Sequence, residues 1–124
     1  MLSLVLLYAG AALPLIWGVA HLFPTKNVVA GFGDISVDNK RIITMEWINE
    51  AVALVFISAI VFAVTLIDHT STVSQAVYWL SFVALNTLSV ISLSTAFKIT
   101  FLPYKLCPVF FTTASILILL GILL

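Results

Sequence analysis

The chain of 124 residues is 63% hydrophobic, only 8% of its residues are charged, and its formal net charge is zero. Soluble domains carry charge on about a quarter of their residues, so this composition excludes an ordinary water-soluble domain and indicates a protein whose partner is the lipid bilayer. The lack of net positive charge and of any basic stripe also excludes nucleic-acid binding.

The sequence contains four apolar stretches of the length that crosses a bilayer, which is about 20 residues. The predicted spans are 3–23, 42–67, 73–97 and 107–124. We therefore predict an all-α integral membrane protein with a single domain over residues 1–124, in which four transmembrane helices form a compact up-down bundle. No basic residues precede the first stretch, so we expect it to be a true span rather than a signal peptide.

The first predicted helix carries a stripe of small or kinking residues. Gly10, Pro14 and Gly18 follow one another at intervals of four and therefore share one side of the helix. Small residues in this arrangement allow a neighbouring backbone to approach closely, so we expect another helix to pack here. His21 continues the stripe at the end of the helix.

Residues 24–38 are too apolar for a solvated linker, and we predict an ordered loop that ends at Asp38 as the N-cap of the second helix. Within it, residues 29–34 resemble the selectivity filter of potassium channels. Val29 stands where the filter has threonine, and residues 24–28 are too few to form a pore helix, so the pattern does not favour a channel.

The second predicted helix supplies the strongest candidate site. Glu46 and Glu50 lie four residues apart and leave one face of the helix, and His21 ends the first helix on the same side of the membrane. A histidine and two carboxylates can bind a divalent metal or perform acid–base chemistry, and of the two we predict acid–base chemistry, with His21, Glu46 and Glu50 as catalytic residues. The alternative is electrostatic matching, in which the carboxylates favour the helix dipole or pair with Lys40 or Arg41. No metal-binding spacing such as HExxH occurs, and we predict no metal and no cofactor.

Four further residues are predicted to bind a ligand. Arg41, Trp47 and Asn49 belong to the same segment as the carboxylates, and Asn86 is the most polar group midway along the third span. The hydroxyl groups of the third helix form a separate stripe, which we expect to face other helices because hydroxyls need partners in hydrocarbon. The stripe consists of Ser74, Tyr78, Ser81, Ser89 and Ser92.

The basic residues predict the orientation in the membrane. All five Lys and Arg side chains fall in the connections 24–45 and 98–106, which a four-span topology places at one end of the bundle. Cytoplasmic loops carry the excess of Lys and Arg. We therefore expect both connections in the cytoplasm and both termini on the other side.

These features favour a non-catalytic subunit, or a helix-packing or lipid-binding component of a membrane assembly, acting as a homo-oligomer or within a larger complex. The alternative is a small membrane enzyme that acts on a lipid-like or hydrophobic substrate at the cytoplasmic interface through His21, Glu46 and Glu50. A transporter or channel is least favoured, because no span centre carries an ionisable residue. The enzyme hypothesis requires the imidazole and both carboxylates to converge on a cavity.

Overall fold

The computed structural model describes all residues 1–124, and every regular element in it is helical. The five helices are α1 (Leu2–Leu22), α2 (Thr25–Ala30), α3 (Val37–Asp68), α4 (Thr72–Ala96) and α5 (Leu102–Leu123). All except α2 are long and apolar enough to cross a membrane. The prediction of an all-α membrane bundle with four spanning helices is confirmed.

Helices α3 and α5 begin earlier in the chain than the spans predicted from 42 and 107. Pro103 lies in the first turn of α5, where its missing N–H costs nothing because the first N–H groups of a helix have no intrahelical partner. The helix therefore starts at Leu102, before both of its prolines, and places Tyr104 and Cys107 on a regular helical surface.

The connection between α1 and α3 contains the short helix α2, which buries Val28. The predicted cap at Asp38 is wrong, because the backbone N–H of Asn39 donates to the hydroxyl of Ser36 at 3.1 Å, which makes Ser36 the N-cap of α3. Asp38 lies instead in the first turn of α3, where its carboxylate is 3.7 Å from the Arg41 guanidinium in an exposed ion pair.

Helix α1 is the central element, packed between α3 and α5, and α4 packs against α5. The predicted packing role of the glycine stripe is confirmed. A Cβ added at Gly18 would lie 2.9 Å from the Ala51 carbonyl oxygen of α3, and one at Gly10 would lie 2.7 Å from the Ile118 side chain of α5. Both distances are shorter than a real Cβ tolerates. The absence of a side chain at Gly18 and Gly10 therefore allows α1 to pack this closely against α3 and α5.

Helices α3 and α4 contact each other much less extensively than the other neighbouring pairs. Near the turn that joins them, the Tyr78 and Thr65 hydroxyls share a buried hydrogen bond of 2.9 Å. Because Thr65 donates to the Val61 carbonyl, Tyr78 is the donor in this bond. Farther from the turn the two helices are separated by a groove, which leaves one side of the bundle open.

The hydroxyl stripe of α4 faces its neighbours as predicted. Ser74, Tyr78, Ser81 and Ser89 are buried and Ser92 is partly buried, whereas Asn86 is exposed on the outer face.

The two chain ends meet at one end of the bundle, where the Ser3 hydroxyl donates to the Gly121 carbonyl at 2.6 Å. The opposite end is formed by the connections 24–45 and 98–106 and carries every Lys and Arg side chain. We refer to it as the basic end.

Candidate functional site

His21 and Trp47 form the centre of the site at the basic end. Their rings are stacked with centroids 3.8 Å apart and an interplanar angle of 14°. The Trp47 indole N–H also donates to the His21 backbone carbonyl at 2.7 Å. This carbonyl lies in the last turn of α1, where carbonyls lack intrahelical partners, so Trp47 both satisfies the helix end and fixes the plane of the imidazole.

Glu50 reaches the edge of the same imidazole. Its Oε2 lies 3.4 Å from His21 Nε2, a distance too long for a well-aligned hydrogen bond. Nε2 is buried and has no hydrogen-bond partner within the protein, and the His21 side chain is only 5% exposed against 39% for Glu50. The site therefore holds a buried ring nitrogen next to a carboxylate that is accessible from outside.

A cavity of about 210 Å³ adjoins the imidazole, and we call it the aromatic cavity. Most of its wall is apolar, which suits the hydrocarbon part of a ligand. Its principal lining residues are Trp17, His21, Trp47, Pro103, Tyr104 and Cys107.

His21 and Tyr104 also line a second space of about 250 Å³, which we call the inner hollow. It shares both of these residues and Cys107 with the aromatic cavity. The inner hollow adds polar groups from two helices, namely the carboxylate of Glu50 and the Ser92 and Thr95 hydroxyls of α4. A molecule at this point of the bundle would contact apolar surface and hydrogen-bonding groups together.

The inner hollow continues into the open side of the bundle. Glu50, Leu88 and Tyr104 line both the inner hollow and the α3–α4 groove, a wider space of about 510 Å³. Glu46 and Asn49 also line this groove, and both are exposed. The route from the outer surface to the imidazole therefore passes two carboxylates in succession.

The sequence-predicted residues fall into two groups in the structure. His21, Trp47 and Glu50 come together, and Glu46 and Asn49 lie nearby in the groove.

The other two predicted residues lie away from the site. Arg41 is exposed and paired with Asp38, and Asn86 lies on the outer face of α4. Neither lines any of the three spaces described above. The carboxylates make no ion pair with Lys40 or Arg41, which removes that form of the electrostatic-matching alternative.

Sequence reasoning did not select Trp17, Tyr104 or Cys107 for the site. Trp17 precedes His21 by one helical turn and so shares its face, a spacing that could have identified it. Its indole N–H is buried without a partner, and its ring stacks on Phe110 with centroids 4.3 Å apart. Tyr104 meets the Trp47 ring edge-on at 5.7 Å. No local signal in α5 marks Tyr104 or Cys107, because the packing of α5 against α1 brings them here.

The side chains of the site suit hydrogen bonding better than metal binding. Imidazole can donate or accept a hydrogen bond, and a carboxylate accepts. No group of three or more His, Cys, Asp or Glu side chains is arranged to hold a metal ion.

Comparison with protein-family models, curated proteins and solved structures finds no match to the chain. The functional proposal therefore rests on the geometry of the site.

Proposed function

We propose that the protein is a non-catalytic component of the membrane that binds a lipid-like molecule at its basic end, on the cytoplasmic side. The observation that carries the proposal is the aromatic cavity beside a buried imidazole whose Nε2 has no hydrogen-bond partner. Buried polar atoms are normally paired, and the unpaired Nε2 lies 3.4 Å from the carboxylate of Glu50, which lines the inner hollow. An amphiphile with its polar group in the inner hollow and its hydrocarbon part in the aromatic cavity therefore suits this imidazole.

The open side of the bundle supports lateral entry of such a molecule. The α3–α4 groove faces outward between two spanning helices, so a ligand dissolved in the bilayer reaches it without crossing water. Glu46 and Asn49 precede Glu50 in α3 and so lie nearer to the basic end, where we expect the lipid headgroups. The ligand then passes Leu88 and Tyr104, its polar head contacts Glu50 and His21, and its hydrocarbon part occupies the aromatic cavity.

The geometry supports binding better than catalysis by three residues. A catalytic role for the predicted trio requires both carboxylates at the imidazole, but only Glu50 contacts it. Glu46 is one helical turn closer to the basic end and is exposed. The flat stack on Trp47 fixes the imidazole, which favours recognition of one ligand orientation.

An enzyme remains the second candidate because His21 and Glu50 are in contact. A carboxylate beside an imidazole can orient the ring and stabilise its protonated form, so the pair could act as a general base on a substrate bound in the cavity. Such an enzyme would use His21 and Glu50 without Glu46.

Fluorescence quenching tests the binding function. A Trp79→Phe background leaves Trp17 and Trp47 as the only tryptophans, and both line the aromatic cavity. We expect 12-bromododecan-1-ol in liposomes to quench them saturably. Ala20→Phe, which narrows the cavity wall, should remove the saturable component, whereas the matched Ala63→Phe on the outer face of α3 should retain it. Linear quenching that is identical in all three proteins would contradict the proposal.

The two candidate functions, binding and catalysis, predict different molecules bound to the purified protein. If the protein is a binder, mass spectrometry of wild type and His21→Gln should find the same lipid species in different amounts. If the protein is an enzyme, the inactive variant should retain a chemically different species, the unconverted substrate, and the binding proposal would then be wrong.

A further inference from the structure

The outer face of α4 carries one polar side chain in the middle of the membrane. Asn86 lies fourteen residues after Thr72 and ten before Ala96, the first and last residues of the helix. At 1.5 Å per residue it is therefore at least about 15 Å from either end of the helix, well inside a hydrocarbon layer roughly 30 Å thick. Its amide makes no hydrogen bond within the chain, and its side chain is exposed.

The surroundings of Asn86 do not satisfy it. The neighbouring hydroxyl of Thr87 donates to the Val83 carbonyl at 2.8 Å and is therefore already paired. The side chains of Val83 and Val90, one turn away on either side, are apolar and more than half exposed. An unpaired amide in hydrocarbon has a high free energy. The Asn86 amide is therefore unfavourable in a single chain, and a partner that hydrogen-bonds to it would remove this cost.

The exposed residues around Asn86 follow a heptad pattern. Their spacing alternates between four and three residues over the helix, which is the a/d repeat of a coiled-coil seam. All of them are exposed, the large apolar members between 43% and 65%. The seam consists of Trp79, Val83, Asn86, Val90, Leu93 and Phe97.

The distribution of charge determines which partner matches this seam. Every Lys and Arg lies at the basic end, so all copies of the chain insert with the same orientation. Two copies packed through α4 are then parallel, and each residue meets its equivalent at the same depth. An amide has both donors and an acceptor, so Asn86 of one copy satisfies Asn86 of the other.

We propose that two copies of this chain associate through the α4 seam as a parallel pair with Asn86 against Asn86. In this repeat Val83 and Val90 fall at a positions and Leu93 at a d position, a pattern that favours two strands. Asn86, at a d position, is paired only when it lies opposite its equivalent, so it fixes the register. The residues of α4 that line the inner hollow, including Ser92 and Thr95, lie on another side of the helix. The pair therefore leaves the ligand route open.

Cross-linking tests the contact directly. Val90 on the seam and Val52 on the outer face of α3 are equally exposed, each at 60%. We expect Val90→Cys to form a disulfide-linked dimer on mild oxidation in liposomes of the purified protein. Val52→Cys should not, and neither should wild type, whose sole cysteine is buried.

Energy transfer between labelled copies in the same liposomes tests the amide. Asn86→Ala should raise the dissociation constant about three- to thirtyfold, as expected for an interhelical hydrogen bond in a membrane. Thr87→Val should leave it unchanged, because that hydroxyl is paired within its own helix. Three results would overturn the proposal: a monomeric wild type, which would assign this face to another protein, equal cross-linking at Val52→Cys and Val90→Cys, or equal dissociation constants for Asn86→Ala and Thr87→Val.

Discussion

The Trp47 indole donates its N–H to the His21 carbonyl and lies parallel to the His21 ring, with centroids 3.8 Å apart. One side chain thus makes two contacts that connect α3 to the end of α1. Trp47 is only 7% exposed, so its place is inside the bundle rather than among the interfacial anchors where tryptophan is common. The orientation of the His21 imidazole in the candidate site depends on these two contacts.

Removing the hydrogen bond but keeping an aromatic ring should weaken this connection measurably. Trp47→Phe leaves the buried His21 carbonyl without its donor, so we expect the free energy of unfolding in detergent to fall by about 1–2 kcal/mol. Trp79→Phe is the control, because Trp79 is 43% exposed and makes no hydrogen bond within the chain. In detergent at a dilution that keeps the chain monomeric, so that the α4 seam is unpaired, its effect should stay within about 0.5 kcal/mol. Equal effects of the two substitutions would show that the Trp47 bond contributes nothing.

The close approach of α1 and α3 at Gly18 predicts a cost for a single methyl group. In Gly18→Ala the new Cβ would lie 2.9 Å from the Ala51 carbonyl oxygen, a backbone atom that cannot move away cheaply. Overpacking of this kind costs about 1–3 kcal/mol, more than the gain of up to about 1 kcal/mol in helix propensity. Thermal unfolding should show a lower midpoint for Gly18→Ala than for the adjacent, outward-facing Val19→Ala.

Two buried serines should respond oppositely to the same substitution. The Ser58 hydroxyl is fully buried with no hydrogen-bond partner, whereas Ser89 shares a hydrogen bond with Thr112 across α4 and α5. Ser58→Ala removes an unsatisfied group and should leave stability unchanged or raise it by up to about 1 kcal/mol. Ser89→Ala should lower stability by about 1 kcal/mol. Equilibrium unfolding in detergent checks both, and a larger loss for Ser58→Ala would contradict the structural account.

The orientation predicted from the basic residues can be tested with single cysteines. Asp34 lies in the connection between α2 and α3, and Thr72 lies at the start of α4 at the opposite end; both are exposed. A membrane-impermeant maleimide should label Thr72→Cys in intact cells and Asp34→Cys only after permeabilisation. Wild type, with its buried Cys107, controls for background labelling. The reverse pattern would place the candidate site on the outer side.

Features that depend on spacing along one helix were predictable from the sequence. The spans follow from the length of the apolar stretches, and the buried faces of α1 and α4 follow from the positions of glycine and hydroxyl residues. These signals are local, because residues three or four apart share a helix face whatever the helix packs against.

Features that depend on how two elements meet were not predictable in the same way. Ser36 and Asp38 are both good N-cap residues, and the path of the preceding chain decides between them. Glu46 and Glu50 share a face, but α1 ends at a depth where His21 meets only Glu50 and Trp47. His21 follows the close α1–α3 contact at Gly18 by one turn, and the identity of the acidic residues does not reveal that contact.

The hydrogen bond between Ser3 and Gly121 has a consequence for how the chain can be rearranged. Because these residues touch, a short linker between residues 124 and 1 would close the backbone into a ring without moving a helix. Cutting that ring between Gly33 and Asp34, where the chain is exposed and Gly33 has a positive φ of 72°, gives a circular permutant. In it all four spanning helices keep their neighbours, but both new ends lie at the basic end, where a fused reporter would sit next to the candidate site.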